Sequence, residues 1–380
     1  MSKLRKLTDK IKPAFEKGGK LSFLYSTFEA FESFLFVPNR VTRSGVHVRD
    51  SVDLKRVMTA VMIALVPTLL FGIYNIGYQH DLASNAGMEF WEMVWFGFLK
   101  ILPLYLVSYI VGLGIEFASA QLRGHEVNEG YLVTGMIIPL IVPITTPLWM
   151  LALAVAFAVI IGKEIFGGTG MNIWNPALVA RVFLFFAYPS HMSGDKVWVA
   201  GVDGFSGATP LAQTSDGLSS LHYSVSDMFF GFIPGSVGET STLAIILGAA
   251  FLIYTGIGSW KIMLSTVFGG LVMGFIANIA APSADCAMAI PAWYHLIMGG
   301  FAFGAVFMAT DPVTSAQTEY GKWIYGFLIG TFTVIIRLFN PGYPEGMMLA
   351  ILLMNTFAPV IDHIVVGRNI KRRLKRAKTV

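Results

Sequence analysis

Ten stretches of mostly apolar residues follow one another along this chain, and nothing constrains its fold more. They cover residues 55–77, 93–121, 128–145, 148–166, 173–188, 243–256, 261–281, 293–309, 322–339 and 346–366. A helix needs about 20 such residues to cross a hydrocarbon core of about 30 Å. Within that core the backbone must satisfy its own N–H and C=O groups, which a helix does. Several of the stretches are short or broken by proline, so the count is about ten. Of 380 residues, 55% are hydrophobic and 13% charged, about half the charge of a soluble domain. A soluble globular enzyme, a disordered chain and a coiled coil are thereby excluded. The expected fold class is an all-α polytopic membrane protein.

The few charges are segregated. Of 27 Lys and Arg, 12 lie in residues 1–56 and 7 in residues 368–380. A basic end can signal nucleic acid. Both ends flank apolar spans, so they read as topology signals, and no nucleic-acid partner is expected. Basic flanks stay in the cytoplasm, which puts both termini there, as an even number of crossings requires. Loops 78–92, 146–147 and 282–292 then face outside and hold no Lys or Arg. The long 189–242 loop, also outside, holds only Lys196. Loops near Arg123, Lys163, Lys261 and Lys322 face inside, each with its basic residue; Arg337, near an outer end, is the misfit. The single cysteine, Cys286, excludes an intrachain disulfide and a Cys-based cluster or zinc site within the chain. Residues 1–20 have no apolar core or small-residue cleavage site, so no cleaved signal peptide is expected.

The outer loop 189–242 divides the spans into two sets of five, 55–188 and 243–366. A basic segment, 1–54, precedes them and a basic cytoplasmic tail, 367–380, follows. The N-terminal segment is partly amphipathic through Phe23, Leu24, Phe28, Phe31, Phe34 and Leu35, a pattern suited to a membrane surface or to a protein partner. Repeats with an odd number of spans are inverted in the membrane. Such repeats place a transport or cofactor site at their interface, with interrupted helices at matching positions. The third span of each half fits. One ends in Ile138-Pro139-Leu140-Ile141-Val142-Pro143-Ile144-Thr145-Thr146-Pro147, the other in Phe307-Met308-Ala309-Thr310-Asp311-Pro312-Val313-Thr314. The expectation is about ten transmembrane helices in two inverted five-helix repeats, with these two broken or half-length.

The most specific segment is Asp203-Gly204-Phe205-Ser206-Gly207-Ala208-Thr209-Pro210-Leu211. By composition it is a small-residue polar turn, roomy enough for a bulky group to lie close. Its Asp-x-x-Ser-Gly-Ala-Thr core resembles the acceptor motif for flavin attached through a phosphoester to the final hydroxyl. Further segments accompany it: His125-Glu126-Val127-Asn128-Glu129-Gly130, Lys163-Glu164-Ile165-Phe166-Gly167-Gly168-Thr169-Gly170, and Asn172-Ile173-Trp174-Asn175-Pro176-Ala177-Leu178. Then come Phe183–Pro189, Thr310–Ala316 and Phe357–His363. Together, over about residues 30–375, they resemble the B-subunit family of the sodium-translocating NADH:quinone oxidoreductases.

The resemblance implies covalent FMN on Thr209, installed by a flavin transferase outside the membrane, with Asp203, Ser206, Gly207 and Ala208 forming the acceptor turn. It implies noncovalent riboflavin near Asn172 and Asn175. Asn both donates and accepts, which suits the uracil-like edge of a flavin. Trp174 would stack on a flavin or anchor at the interface. The resemblance assigns sodium uptake or translocation to Glu116, Asp311 and Asp362, carboxylates in or beside spans. It puts a quinone near Gly112, where the family's second glycine is Leu113 in this chain. Partner subunits, a quinone, Na+, the lipid bilayer and a bacterial inner membrane are implied as surroundings.

Other roles remain for each residue. Asp203 caps a turn, Glu116 pairs structurally, Asp311 caps the turn before Pro312, and Asp362 pairs with Arg368. Arg181, a charge within a span, partners a flavin or a carboxylate. Lys163–Pro176 also reads as a plain helix–loop–helix turn. No dinucleotide fingerprint is present, so NADH oxidation belongs elsewhere in a complex. Rivals are the D subunit of the related ferredoxin:NAD oxidoreductase, a cofactor-free secondary transporter and a purely structural assembly protein; the flavin motif speaks against the last two.

Overall fold

The computed structural model describes residues 3–16, 19, 21–36, 42, 44–46, 54–123, 130–194, 197–201, 207–283, 285–340 and 345–377. Asp203–Ser206, His125–Glu129 and Lys196 lie outside the described residues. Among the described residues every regular element is helical. Two N-terminal helices, Lys3–Ile11 and Tyr25–Leu35, precede the apolar part. We number the later elements α1 (Leu54–Ser84), α2 (Phe90–Arg123), α3 (Tyr131–Ile141), α4 (Leu148–Gly162) and α5 (Pro176–Ala187). The second half holds α6 (Thr242–Tyr254), α7 (Trp260–Ala280), α8 (Phe301–Phe303), α9 (Glu319–Phe339) and α10 (Met347–Ala377).

Six helices are long and apolar enough to cross a membrane: α1, α2, α4 with its 3-10 extension to Phe166, α7, α9 and α10. Their outward faces are apolar: Trp91, Trp95, Leu106 and Ile110 on α2, and Leu264, Phe268, Phe275 and Ile279 on α7, are exposed. Apolar surface on that scale is what lipid covers and water does not. The chain is a multi-pass membrane protein. Helices α3, α5 and α6 have 11, 12 and 13 residues, about 16–20 Å at 1.5 Å per residue. None covers the core by itself, so six of the ten expected stretches are helices long enough to cross and these three are not.

The shortening follows from proline and from buried polar partners. Helix α3 carries Pro139 and ends at Val142 in extended conformation. Its carbonyls do not go unpaired: Gly238 N donates to Leu140 O at 2.8 Å, and Ser236 Oγ to Ile141 O at 3.3 Å. The matching element is broken further, into a turn at Tyr294–Ile297, then α8, then a π-turn at Gly304–Met308. There Arg337 donates to His295 O at 2.6 Å and Met298 O at 2.9 Å. This resolves the topological misfit. Arg337 is buried on α9 and binds the carbonyls freed at the break, so it carries no topology signal. Irregular backbone survives at membrane depth only where protein buries it in this way.

Helices approach closely where small residues allow it. A Cβ on Gly97 of α2 would lie 1.9 Å from Ile73 O of α1, and one on Gly330 of α9 would lie 2.0 Å from Thr266 O of α7. The buried face of α2 runs Gly97, Ile101, Leu104, Ser108, Gly112, Glu116 and Ala120, a helical period with a carboxylate in it. Helix α3 binds this face through Tyr109 Oη to Leu132 O (2.8 Å), Ser108 Oγ to Gly135 O (3.0 Å) and Tyr131 Oη to Ser108 O (2.8 Å). Such interhelical bonds average about 0.6 kcal/mol in membranes, so they fix register more than they add stability. Across the halves α1 packs on α6, and α5 on α10.

Two segment boundaries differ from expectation. Helix α10 runs through position 367 to Ala377, so the described part of the basic tail is its continuation. The 189–242 segment is not one open loop: it holds short helices at Pro189–Met192, Pro210–Gln213 and Val225–Phe230. It is tied to the helices through His80 Nδ1 to Ala200 O (2.8 Å) and Thr145 Oγ1 to Val197 O (2.9 Å).

Candidate functional site

Two cavities hold most of the residues singled out in the sequence. The outer one, on the side of the 189–242 segment, measures about 280 Å³. Thr209, Trp198, Phe185, Arg181, Glu239, Thr240 and Glu345 are among its walls. Thr209 is half-buried and sits at the N-cap of Pro210–Gln213, its Oγ1 accepting from Ala212 N at 3.2 Å. That bond uses a lone pair, and among the described residues the hydroxyl hydrogen is unengaged. Gly207 is buried and Ala208 half-buried beside it.

Arg181 is the charge that α5 carries into this wall. Its guanidinium binds Glu239 through both nitrogens, at 2.5 and 3.3 Å, with both side chains buried. Its carboxylate partner is therefore Glu239. Glu345 accepts from Gly300 N at 2.8 Å and lies 3.9 Å from Arg337. A Cβ on Gly300 would lie 2.6 Å from the Glu239 carboxylate and 2.8 Å from that of Glu345, so glycine lets the two acids converge. Burial, reinforced by the Glu239 charge, pushes Glu345 up to about 7. Thr240 Oγ1 is buried without a hydrogen-bond partner. Glu239 and Glu345 escape sequence reasoning because both fall outside the apolar stretches, where carboxylates pass for solvated. The available signal was local: Ser236-Val237-Gly238-Glu239-Thr240 leads straight into α6 with no basic neighbour.

The inner cavity lies at the opposite end and measures about 70 Å³. Lys163, Thr169, Asn172, Asn175, Thr310 and Asp311 supply its polar wall. Asn175 N-caps α5, its side-chain oxygen accepting from Ala177 N at 3.0 Å while its Nδ2 reaches Asp311 Oδ2 at 3.3 Å. Asn172 Nδ2 donates to Trp174 O at 3.0 Å. Trp174 Nε1 donates to Thr356 Oγ1 at 2.9 Å, and its ring meets Phe166 edge-on. Asp311 accepts from Val313 N at 3.0 Å and from Thr314 Oγ1 at 3.1 Å, so it does order the turn after the broken span. Thr169 Oγ1 is buried and unpartnered.

The three carboxylates are not one cluster. Glu116, buried on α2, pairs with the Lys163 ammonium, while its Oε2 has no partner. Lys163, which begins the Gly-rich loop, is buried at the end of α4 and turned inward to that carboxylate. Its neighbour Glu164 takes Ser119 Oγ at 2.5 Å, and Arg123 donates to Glu164 O at 2.8 Å. Asp311 shares the inner cavity with Lys163. Asp362 stands apart, holding Gln317 N (2.7 Å), Thr318 N (3.0 Å) and Thr318 Oγ1 (2.5 Å); it fixes the start of α9. Among the described residues no group of three or more His, Cys, Asp or Glu could hold a metal ion. Gly112 seats the Tyr131 ring, which an added Cβ would meet at 1.9 Å.

The family described as NQR2, RnfD, RnfE matches residues 41–371, nearly the whole of this geometry. A relative from Chromohalobacter salexigens, the B subunit of a Na(+)-translocating NADH-quinone reductase, is 47% identical over 98% of this chain and 96% of its own length. Relatives of the same name from Pseudomonas aeruginosa and Pseudoalteromonas atlantica are 46% identical over 98% of this chain and 99% of theirs. The chain belongs to the B-subunit family of the sodium-translocating NADH-quinone reductases. A B subunit is one part of an oxidoreductase complex, so its partners include the other subunits. In this chain Thr209, the Asn172/Asn175 pair and two of the three carboxylates fall on or against the two cavities, and Asp362 does not.

Proposed function

We propose that this chain is the flavin-carrying membrane subunit of a sodium-pumping NADH:quinone oxidoreductase in a bacterial inner membrane. Ten helical segments cross in two inverted halves, with both termini cytoplasmic. Supporting the inversion, like-placed helices meet across the halves (α1 with α6, α5 with α10), and α2–α4 packing in the first half matches α7–α9 in the second.

The observation that carries the proposal is the Thr209 hydroxyl on the wall of the outer cavity. FMN fits there: among the described residues the hydroxyl hydrogen is unengaged, and a volume of about 280 Å³ approaches the roughly 300–1,000 Å³ of small-molecule sites. A transferase would join Thr209 Oγ1 to the FMN phosphorus of FAD, with AMP leaving. Once attached, FMN supplies electron transfer that no side chain of this protein offers. Arg181, locked by Glu239, presents fixed positive charge; Trp198 and Phe185 exclude water. Electrons that partner subunits take from NADH would pass through this chain to a quinone, approached on the inner side near Gly112.

Noncovalent riboflavin is proposed at the inner cavity, against Asn172, Asn175 and Trp174. At about 70 Å³, with both asparagines engaged locally, that cavity fits an isoalloxazine only after widening. Glu116, Asp311 and Asp362 are proposed to handle Na+. Sodium, a hard cation, prefers oxygen ligands as other hard cations do, and Asp311 stands at the end of a broken span, where such sites form.

The test is in-gel flavin fluorescence of the denatured chain, produced with an active flavin transferase, wild type against Thr209→Ala. Fluorescence in wild type alone is expected. Darkness in both would contradict the flavin assignment and return the chain to the plain transporter class.

A further inference from the structure

The pairing of Glu116 with Lys163 is incomplete in a way that points to a use. Lys163 is the last residue before the Glu164–Phe166 turn, and its backbone there is non-helical. Its ammonium reaches back to one oxygen of Glu116, and both side chains are 4% exposed. An ammonium has three donors, and Glu116 is the one described group to which it donates. The other Glu116 oxygen is buried with no partner. A buried ion pair repays its desolvation only when the remaining lone pairs and protons are also satisfied. This pair falls short on both sides.

Lys163 also lines the inner cavity. Asp311 and the unpartnered Thr169 hydroxyl are in that wall too. With both carboxylates ionised, this group of two carboxylates and one ammonium carries one negative charge. Glu164, the other acid beside Lys163, is already held by Ser119 and Arg123. One monovalent cation in the cavity would therefore bring the group to neutrality. A small cation at Glu116 would engage the orphan oxygen that Lys163 leaves bare, and Asp311 would be at hand for the displaced ammonium.

We propose that Lys163 is a tethered competitor for the cation at Glu116: its ammonium occupies the carboxylate when sodium is absent, and sodium binds by displacing it toward the Asp311 wall. The inference rests on the proposal that Glu116 takes up Na+ and adds the residue that sets how tightly and how reversibly. A competitor fixed to the protein lowers apparent affinity by its own occupancy of the site, and in return helps to expel the ion. Lys163 is a positioning residue in this scheme, acting through Glu116.

The test titrates sodium against NADH:quinone reductase activity of the assembled complex, separating the half-saturating sodium concentration from kcat. Lys163→Met removes the competitor. Half-saturating sodium should fall by about tenfold, within the usual range of coupling between sites, and kcat should fall as release slows. Lys163→Arg installs a stronger, bidentate carboxylate partner, so half-saturating sodium should rise severalfold. The arginine variant keeps the charge and decides the matter if the methionine variant fails to assemble. Half-saturation that is unchanged or moves the other way in either assembled variant would overturn the proposal. Glu116→Gln tells the two levels apart. If it leaves the sodium dependence at wild type, sodium uptake at Glu116 falls; if it raises half-saturation while the Lys163 variants do not respond as stated, only the competition falls.

Discussion

The outer and inner sites each hold a buried cation against a carboxylate, and they hold it differently. Outside, Arg181 uses two nitrogens on the two oxygens of Glu239. Inside, Lys163 uses a single nitrogen on one oxygen of Glu116 and leaves the other bare. A guanidinium fork matches a carboxylate and stays; an ammonium is a point charge on a flexible stem. The cavities differ in the same sense, about 280 Å³ against about 70 Å³. A rigid pair walling a roomy cavity suits a large group tethered in place. A half-made pair beside a narrow one suits a small ion that comes and goes.

The largest effect expected is from Arg181→Met, which leaves Glu239 buried and unpaired. Breaking such a pair costs about 3–5 kcal/mol, seen as a large drop in the unfolding temperature of the purified complex. Lys163→Met should cost clearly less in the same measurement, because Glu116 is already half unsatisfied. Equal losses would erase the distinction between the two sites. Next comes the helix seam beside the inner site. Gly112→Leu drives a side chain into the Tyr131 ring, and overpacking costs about 1–3 kcal/mol. Gly114→Ala, where an added Cβ meets open space, should stay within about 0.5 kcal/mol. A pH dependence is also expected at the outer site. Burial and the Glu239 charge push Glu345 up to about 7 from an ordinary 4.5. With the folded value raised, its contribution to stability is fully present below about 4.5 and is lost as pH rises through about 7. Glu345→Gln should flatten that decline in an unfolding series between pH 5 and 8, and an unchanged slope would assign the decline elsewhere.

The membrane class was legible because apolar length and charge segregation are properties of the sequence itself. Broken helices were legible from Pro139, Pro143 and Pro312, since proline removes a donor wherever it stands. Thr209 and the Asn172/Asn175 pair were legible only through resemblance, because a polar turn has no chemistry of its own. Partners set by tertiary contact were not legible. Lys163 looks like a loop cation until α4 and α2 are packed, since Glu116 lies 47 positions away. Arg337 looked like a topological misfit because nothing local reveals the carbonyls of His295 and Met298 that it binds. Asp362, whose alternative role was a pair with Arg368, holds the start of α9, a contact 44 and 45 positions back.

The two cavities, on this reading, do different work, and the outer one holds the tethered flavin. The most direct test is a cryo-electron-microscopy map of the complete complex, prepared with the transferase present. Density continuous with Thr209 Oγ1 is expected to fill the space between Trp198, Arg181 and Glu239. A bare Thr209 beside an empty outer cavity, or a covalently joined ring lying clear of it, would contradict that division of labour.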